Sequence, residues 1–326
     1  MRSLPIGIDE RQLRAALSEA WGLDVDRLEY VPKGGGSYHW LAEAADGQRW
    51  FVTADDLERK PWLGDDSDST FDGLRGAFDV ALALYEDAGC EFVVAPIRTS
   101  YGTSLHRLSS QYSLAVFPLI DGEPGEWGTP LDSPVRTMFL RVLAHLHEST
   151  STVRHRAQRR GLRLPGRIDL ENALAALEQP WPGGRFSEMT RTALAANAGR
   201  VSEWLSSFDD LTDVVGRSDV ELVITHGEPH PGNVIRSGTD LLVIDWDTVG
   251  LAPPERDLWM FDDGSPDGLA PYVRATGRGS DAEAIELYRL TWTLADLAAF
   301  VAVLRAPHDV TADTEKAWRA FSSYLR

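Results

Sequence analysis

A short strand–loop–strand segment within a helical background constrains this fold more than any other feature. From residue 135 onward the apolar residues recur mostly at helical spacing, but residues 222–225 and 241–244 are compact Val-, Ile- and Leu-rich runs. A polar loop at 226–233 follows the first run, and Asp245 directly follows the second. We expect the two runs to pair as a hairpin, which would bring the loop next to Asp245.

The side chains of this segment suit the transfer of a phosphoryl group. Glu228 can orient or deprotonate an attacking hydroxyl. Asn233 and Asp245 offer amide and carboxylate oxygens, which are the hard ligands that Mg²⁺ prefers. The joint occurrence of these three residues at this spacing is a stronger signal than any one of them.

The sequence H-G-E-x4-N at 226–233 resembles the catalytic loop of the aminoglycoside phosphotransferases. The sequence I-D-W-D at 244–247 resembles the metal-binding segment of that family, and residues 253–258 resemble the helix entry that follows it. The resemblance implies an α+β, bilobal protein-kinase-like fold, with a small β-rich N-lobe and a larger, mostly helical C-lobe. It further implies a small-molecule O-phosphotransferase that uses ATP, or GTP as the alternative, together with Mg²⁺.

The resemblance also implies roles for individual residues. Glu228 stands where the family has its catalytic base, Asn233 and Asp245 match its magnesium ligands, and His226 matches the residue that braces the loop. The chain departs from the family pattern at Glu228, where aspartate is usual. One extra methylene displaces the carboxylate by about an ångström, which can cost about 10²-fold in rate.

A second departure concerns the lysine that such kinases carry on their third strand, paired with a glutamate on the following helix. Thr53 occupies the expected place of the lysine, and Arg75 lies early in the helix where an acid is expected. The chain has three lysines, of which Lys33 and Lys60 fall in the first hundred residues. Lys33, Lys60 or Arg75 could therefore supply the missing positive charge.

The first 120 residues read as a small β-rich lobe. Three short Val-, Tyr-, Trp- and Phe-rich runs are followed by a helix and two further runs; they lie at 28–31, 38–44, 49–54, 71–87, 92–97 and 112–119. The turn-rich residues 120–125 mark a hinge, which predicts an N-terminal nucleotide-binding lobe at 1–120 and a C-terminal catalytic and substrate-binding lobe at 121–326.

Several residues of the first lobe are candidate nucleotide contacts. A glycine-rich turn between the first two strands could let backbone N–H groups approach the phosphates; it comprises Gly34, Gly35, Gly36 and Ser37. Phe117 and Leu119 at the hinge could present backbone groups to the base, and Lys60 is the candidate cation. A flexible hairpin turn and a plain buried strand edge are the competing interpretations.

The formal net charge of −18, without a basic block, argues against nucleic-acid binding. No run approaches the roughly 18 apolar residues of a membrane helix, so a membrane partner is not expected. The single cysteine, Cys90, and the polar start of the chain predict a cytoplasmic protein. No pattern indicates an oligomeric state.

The acidic balance favours a cationic small-molecule substrate. Asp263 and Asp296, with Trp292 as a cation–π surface, are candidate contacts for an amino sugar, although ordinary helix positions explain them as well. An aminoglycoside or aminocyclitol antibiotic is the first expectation. A housekeeping sugar or amino-alcohol kinase is the second.

Two other functions fit parts of the pattern. His226, Glu228 and His230 alternate, so on an extended strand they could together bind zinc or iron, but this leaves Asn233 and Asp245 unexplained. Alternatively, the two departures could mark a catalytically degenerate kinase that binds a nucleotide or small molecule without turnover.

Overall fold

The computed structural model describes residues 4–126, 128–265 and 267–326. Within these residues, the first part of the chain folds on a five-stranded antiparallel sheet of order β1-β2-β3-β5-β4. Its elements in chain order are α1 (Glu10–Trp21), β1 (Val25–Val31), β2 (Ser37–Ala44), β3 (Arg49–Asp56), α2 (Ser67–Glu86), β4 (His106–Arg107) and β5 (Tyr112–Pro118). The predicted β-rich N-terminal part is confirmed. The predicted strand at 92–97 is instead an extended segment whose Val93 forms an isolated bridge with Val243.

The period-two alternation of β2 and β3 divides the sheet into two faces. Trp40 of β2 and Val52 of β3 are buried in a core that also contains Leu17 of α1. The residues between them, among which are His39 and Thr53, therefore point to the opposite face, where the glycine turn and α2 lie. The alternation of the strands thus decides which side chains face the glycine turn.

The rest of the chain is mostly helical, as predicted. Its elements in chain order are α3 (Ser133–Glu148), α4 (Thr150–Val153), α5 (Arg167–Ala175), α6 (Ser187–Ala196), α7 (Ala198–Arg217), β6 (Val223–Thr225), β7 (Val234–Ser237), β8 (Asp240–Val243), β9 (Gly250–Ala252), α8 (Glu255–Leu258), α9 (Ala270–Thr276), α10 (Ala282–Arg305) and α11 (Ala312–Tyr324). The helices α6 and α7 are separated at Asn197.

The predicted pairing of the two central runs is wrong. β6 pairs with β9, whereas β8 pairs with β7. Two residues, Gly238 and Thr239, separate β7 from β8, and Gly238 has a φ of 59°, which suits the tight turn of a two-residue hairpin. The short turn therefore pairs β8 with β7 instead of with β6. The loop 226–233 follows β6 and Asp245 follows β8, so the loop and Asp245 are attached to two different short sheets.

The chain divides into two compact units. The first comprises Met1–Arg160 and Glu221–Gly279, and the second comprises Gly161–Val220 and Ser280–Arg326. The second unit is a helical assembly around α10, whose Leu294, Leu297 and Val301 are buried in its core. Among the described residues, α10 is long and apolar enough to cross a membrane by length and composition alone, but the core helix of a globular unit passes the same test.

Candidate active site

Asp257, at the start of the short helix α8, anchors the loop 226–233. Its fully buried carboxylate accepts hydrogen bonds from the backbone N–H groups of His226, at 2.8 Å, and Gly227, at 2.7 Å. The Nε2 atom of His147 lies 3.1 Å from the same carboxylate. Burial opposes ionisation of this group, but the hydrogen bond and charge of His147 lower the pKa of Asp257 below its ordinary value. The loop therefore begins at a fixed, ionised anchor.

His226 braces the loop from inside. Its Nε2 lies 2.9 Å from the carbonyl oxygen of Ile244, and its Nδ1 accepts the backbone N–H of Glu228 at 3.2 Å. Burial lowers the pKa of His226, which favours the neutral ring that this pattern of one donor and one acceptor requires. Because both ring nitrogens are used, His226 is not available as the zinc ligand of the alternative hypothesis.

Gly227 is the loop position where a side chain cannot be placed. Its φ is +100°, and a Cβ atom there would overlap the guanidinium of Arg256. That guanidinium is itself held, because it donates to the hydroxyl of Thr225 at 2.8 Å and to the carbonyl of Thr248 at 3.0 Å. The glycine therefore lets the loop pass closely over a fixed arginine.

Asn233 ends the loop in the 3₁₀ turn Pro231–Asn233. Its side-chain nitrogen donates to the backbone carbonyl of Glu228 at 3.0 Å, while its own backbone carbonyl accepts the N–H of Ile244 at 3.0 Å. The amide nitrogen is thus committed to the loop, which leaves the side-chain oxygen as the ligand atom. The loop and the strand before Asp245 are held in register by the same residue.

Asp245 follows β8 with a φ of 67°, and among the described residues it is the one non-glycine residue with a positive φ. Such backbone conformations cost about 1–3 kcal/mol and concentrate at functional sites. The residue is exposed by surface area, although protein atoms surround its carboxylate closely enough to desolvate it. Desolvation, reinforced by the negative charges of Asp247 and Glu228, raises the pKa of Asp245 well above its ordinary value. A bound cation would relieve this repulsion.

Lys60 lies directly after the 3₁₀ turn Leu57–Arg59 that follows β3, with its side chain 2% exposed. Its Nζ is 2.6 Å from Oδ2 of Asp247 and 3.1 Å from Oδ1 of Asp55. Burial disfavours the charged ammonium and by itself would lower the pKa of Lys60. The nearby carboxylates of Asp247, Asp55 and Asp245 together have the larger effect and raise this pKa. A Cβ atom placed on Gly36 would lie 3.8 Å from this Nζ, so the ammonium lies beneath the glycine turn.

The other candidate cations are engaged elsewhere. Lys33 pairs with Glu123 at 3.2 Å on the surface, and Arg75 pairs with Asp72 at 2.9 Å on α2. Thr53, at the expected lysine position, is buried, and its hydroxyl lies 3.2 Å from Nδ1 of His39. Of the three candidates for the missing charge, Lys60 is the one that the fold brings to the acidic cluster.

The remaining nucleotide candidates lie on the sheet and its turn. Gly34 has a φ of +78°, Gly35 follows it, and Ser37 begins β2 with its hydroxyl donating to Asp55 at 2.5 Å. Phe117 of β5 is half-buried opposite Phe51 of β3 and packs edge-on against Phe78 of α2. Leu119 lies just beyond β5 and is half-buried. These positions stay candidate nucleotide contacts.

The candidate substrate residues belong to different compact units. Asp263, in the first unit, accepts the hydroxyl of Ser265 at 2.6 Å and lies 3.6 Å from Arg136. Asp296 and Trp292 lie on α10 in the second unit. The hydroxyl of Tyr324 donates to Asp296 at 2.6 Å. Burial raises the pKa of Asp296, against the opposing effect of hydrogen bonds from Tyr324 and Trp292.

Sequence reasoning missed the roles of three residues in the site. The segments 244–247 and 253–258 that resemble the family include Asp247 and Asp257 but assign neither of them a partner, and Asp55 lies outside both segments. An acidic pair, Asp55-Asp56, at the end of an otherwise apolar strand is a signal that a buried cation lies nearby. The acidic pair indicates that a cation is needed nearby, but it does not indicate which residue supplies that cation.

The cluster has the composition of a magnesium–phosphate site. Asn233 and Asp245 are two candidate oxygen ligands, and no group of three or more His, Cys, Asp or Glu side chains suited to a metal occurs in the part of the chain that the structure describes. Mg²⁺ is commonly held by one or two carboxylates together with substrate phosphates. The residues present therefore fit a metal that arrives with a nucleotide better than a zinc ion held by protein alone.

Comparison with known proteins identifies relatives of this chain. In sequence it is similar to Protein StrN of Streptomyces griseus, with 27% identity over 308 residues that cover 91% of this chain and 86% of StrN. In structure it is similar to spectinomycin phosphotransferase APH(9)-Ia in complex with ADP and spectinomycin, with a TM-score of 0.77, 17% identity and coverage of 97% and 94% of the two chains. It is also similar to choline kinase LicA from Streptococcus pneumoniae, with a TM-score of 0.54, 17% identity and coverage of 97% and 98%.

These likenesses confirm the predicted kinase-like fold. The family model described as the phosphotransferase enzyme family, APH, matches residues 39–300, which is most of the chain. The match includes the loop 226–233, Asp245 and Lys60. The chain therefore belongs to the APH phosphotransferase enzyme family.

Proposed function

We propose that this phosphotransferase transfers the γ-phosphoryl group of magnesium-ATP to a hydroxyl of a small cationic molecule of the aminoglycoside or aminocyclitol class. The observation that carries the proposal is the clustering of a general-base candidate, two metal-ligand candidates and a buried ammonium within one compact unit. GTP is the alternative nucleotide. The lobe at 1–120 would hold the nucleotide, and the lobe at 121–326 would supply the catalytic and acceptor contacts.

In this mechanism Glu228 orients the acceptor hydroxyl and accepts its proton. The acceptor oxygen forms a bond to the γ-phosphorus, the bond from that phosphorus to the bridging oxygen breaks, and ADP leaves. Asn233 and Asp245 would hold Mg²⁺, which neutralises phosphate charge when it is bound. Lys60 would add a positive charge beneath the glycine turn, while Asp257 and His226 keep Glu228 in place.

The acceptor class rests on charge and on the relatives. A net charge of −18 favours the approach of cationic molecules. The similar structures include a spectinomycin complex and a choline kinase; spectinomycin carries amino groups and choline carries a quaternary ammonium group. Asp263 in the first unit and, separately, Trp292 and Asp296 in the second unit stay candidate acceptor contacts. The single buried cysteine, Cys90, supports a reducing, cytoplasmic setting.

The second candidate is a kinase-like protein that binds nucleotide without turnover. The observations that favour it are Glu228 in place of aspartate and Thr53 in place of the strand lysine. A housekeeping sugar or amino-alcohol kinase is a third candidate, distinguished from the first only by its acceptor. Family membership leaves this choice open, because one fold serves many substrates.

Thermal unfolding with ATP, in the presence and absence of Mg²⁺, tests the nucleotide site first. Ligand at about 100 times its dissociation constant stabilises the folded state by roughly 2.7 kcal/mol. We expect a magnesium-dependent rise in Tm that Asp245→Ala abolishes. The absence of any rise at millimolar ATP would contradict the proposal.

Turnover then separates an enzyme from a binder. Phosphoryl transfer is measured across aminocyclitols, aminoglycosides, amino-alcohols and neutral sugars, in the native protein and in Glu228→Gln. We expect transfer to a cationic acceptor and a loss of about 10²–10⁴-fold in the variant, as for a general base. Nucleotide binding without transfer to any acceptor would favour the non-catalytic candidate.

A further inference from the structure

The turn that carries Lys60 is built against α2. A Cβ atom on Gly73 of α2 would overlap the backbone carbonyl of Leu63, so the chain just after Lys60 packs directly on the helix backbone. Leu57 and Leu63 from this turn are buried together with Leu74 of α2. The position of the Lys60 backbone is therefore determined by close packing and not by surface charge.

The same helix also contacts the turn that carries Asp247. α2 packs against the 3₁₀ turn Trp246–Thr248, which directly follows Asp245. Lys60 and Asp247 are 187 positions apart in sequence, yet their turns share one supporting helix and their charged groups meet at 2.6 Å. In the family pattern the helix itself supplies the acidic partner of the lysine; here it supports the two turns that carry the pair.

The number of donors on Lys60 suggests a division of tasks. An ammonium group has three N–H donors, and two of them are directed at Asp247, at 2.6 Å, and Asp55, at 3.1 Å. Nζ also lies 5.6 Å from the centroid of the Trp62 ring, and a Cβ atom on Gly36 would lie 3.8 Å from it, so the ammonium faces the glycine turn as well as its two acids. The hydroxyl of Ser37, at the end of the glycine turn, donates to Asp55 and ties that carboxylate to the turn.

We propose that Asp55 and Asp247 are positioning residues that jointly hold the Lys60 ammonium beneath the glycine turn. The phosphate-binding cation of this chain is thus carried by the turn after β3, and its acidic partners come from the end of β3 and from the segment after Asp245. The proposal rests on the nucleotide site of the proposed function. It assigns to Asp55 and Asp247 the task that a helix glutamate performs in the family pattern.

The experiment is calorimetric titration of the full-length protein with ADP in excess Mg²⁺. The variants are Lys60→Met, Asp247→Asn, Asp55→Asn and the double variant Lys60→Met with Asp247→Asn. Lys316→Met and Asp210→Asn, at exposed helix positions, are the matched controls. We expect Lys60→Met to weaken ADP binding by about 10- to 100-fold, because it removes a charged hydrogen bond to phosphate. The controls should bind ADP as the native protein does.

The double variant distinguishes positioning from a general structural role. If Asp247 acts through Lys60, Asp247→Asn weakens binding by about 10-fold in the native background and by less than twofold when Lys60 is already Met. Equal losses in both backgrounds would overturn the positioning role. Lys60→Arg should recover part of the affinity lost in Lys60→Met, a rescue that an unspecific packing defect would not give.

The outcomes separate this proposal from the proposed function. A native protein that does not bind ADP overturns both. A native protein that binds ADP, with unchanged affinity in Lys60→Met, overturns only the assignment of Lys60 and its two acids. Removing the lysine alone leaves two buried carboxylates without their cation and could prevent folding. If Lys60→Met does not fold, the ADP affinity of the double variant, which removes one positive and one negative charge, is compared with that of Asp247→Asn alone.

Discussion

The side-chain amide nitrogen of Asn233 donates a hydrogen bond to the backbone carbonyl of Glu228 at 3.0 Å. A single amide group therefore connects the residue proposed to bind the metal with the residue proposed to accept the proton. Its nitrogen fixes the loop, and its oxygen remains for the metal. Asparagine is the residue with this shape that offers a donor and an acceptor together.

Replacing Asn233 by Asp separates these two tasks. The ligand oxygen is kept, but a carboxylate oxygen now faces the carbonyl of Glu228 and repels it. We expect kcat to fall by about 10²-fold through displacement of Glu228, while the Mg²⁺ concentration for half-maximal rate changes little. Asn233→Ala should raise that concentration as well. The measurement is kcat against Mg²⁺ concentration, with exposed Asn172→Asp as the control; a native kcat in Asn233→Asp would contradict the argument.

Replacing Asp257 by Asn should destabilise the protein and the loop. The amide keeps one acceptor oxygen but replaces the other with an NH2 group, so one of the two backbone N–H groups, that of His226 or that of Gly227, faces a donor and is left buried and unsatisfied. We expect the free energy of unfolding to fall by about 3 kcal/mol, whereas Asp210→Asn, at an exposed position, should change it by less than about 0.5 kcal/mol. Urea unfolding of both variants provides the comparison. Equal stability of the two would show that the anchor contributes nothing.

Replacing Gly227 by Ala tests the close approach to Arg256. The new Cβ atom meets both an unfavourable φ and a held guanidinium, whereas in Gly277→Ala the φ of +70° is the only obstacle. We expect Gly277→Ala to cost about 1–2 kcal/mol and Gly227→Ala to cost more and to lower kcat. The double variant Gly227→Ala with Arg256→Ala removes the overlap. If it is no more active than Gly227→Ala, overlap with Arg256 is not the cause.

The stability of the protein should fall as the pH is lowered from 7 to 5. Burial and the nearby charge of Lys60 lower the pKa of His39 to about 4, whereas an unfolded histidine titrates near 6.5. Between these values the unfolded chain binds a proton that the folded protein does not, so stability is present above pH 6.5 and is lost on acidification toward pH 4. His39 alone should contribute about 1–2 kcal/mol between pH 7 and 5.

His39→Gln should reduce this pH dependence of Tm, and the exposed His155→Gln should leave it unchanged. His230, whose pKa burial also lowers to about 4, acts in the same direction and keeps some dependence in the His39 variant. Identical Tm profiles for His39→Gln and the native protein would mean that His39 becomes protonated equally well in the folded state.

The local elements followed from the sequence because their causes are local. Asp9 directly precedes α1, and its carboxylate accepts the N–H of Gln12 at 2.8 Å, a capping contact between residues only three positions apart. The Val-, Tyr-, Trp- and Phe-rich runs at 38–44 and 49–54 were expected to be strands, and they form β2 and β3. The pairing of residues 241–244 was wrong because two competing partners existed, and the tight turn at Gly238 closes a shorter loop than the expected pairing with residues 222–225.

The sequence alone determined the family, the β-rich first part followed by a mostly helical part, and the candidate residues of the loop, because these depend on spacing over a few residues. It could not determine which cation serves the site. Lys33, Lys60 and Arg75 are chemically similar choices, and only the tertiary structure placed Lys60 against Asp247 and Asp55. The reason is that burial and Coulomb energy depend on distance in space, and residues 60 and 247 become neighbours only when α2 packs on both of their turns.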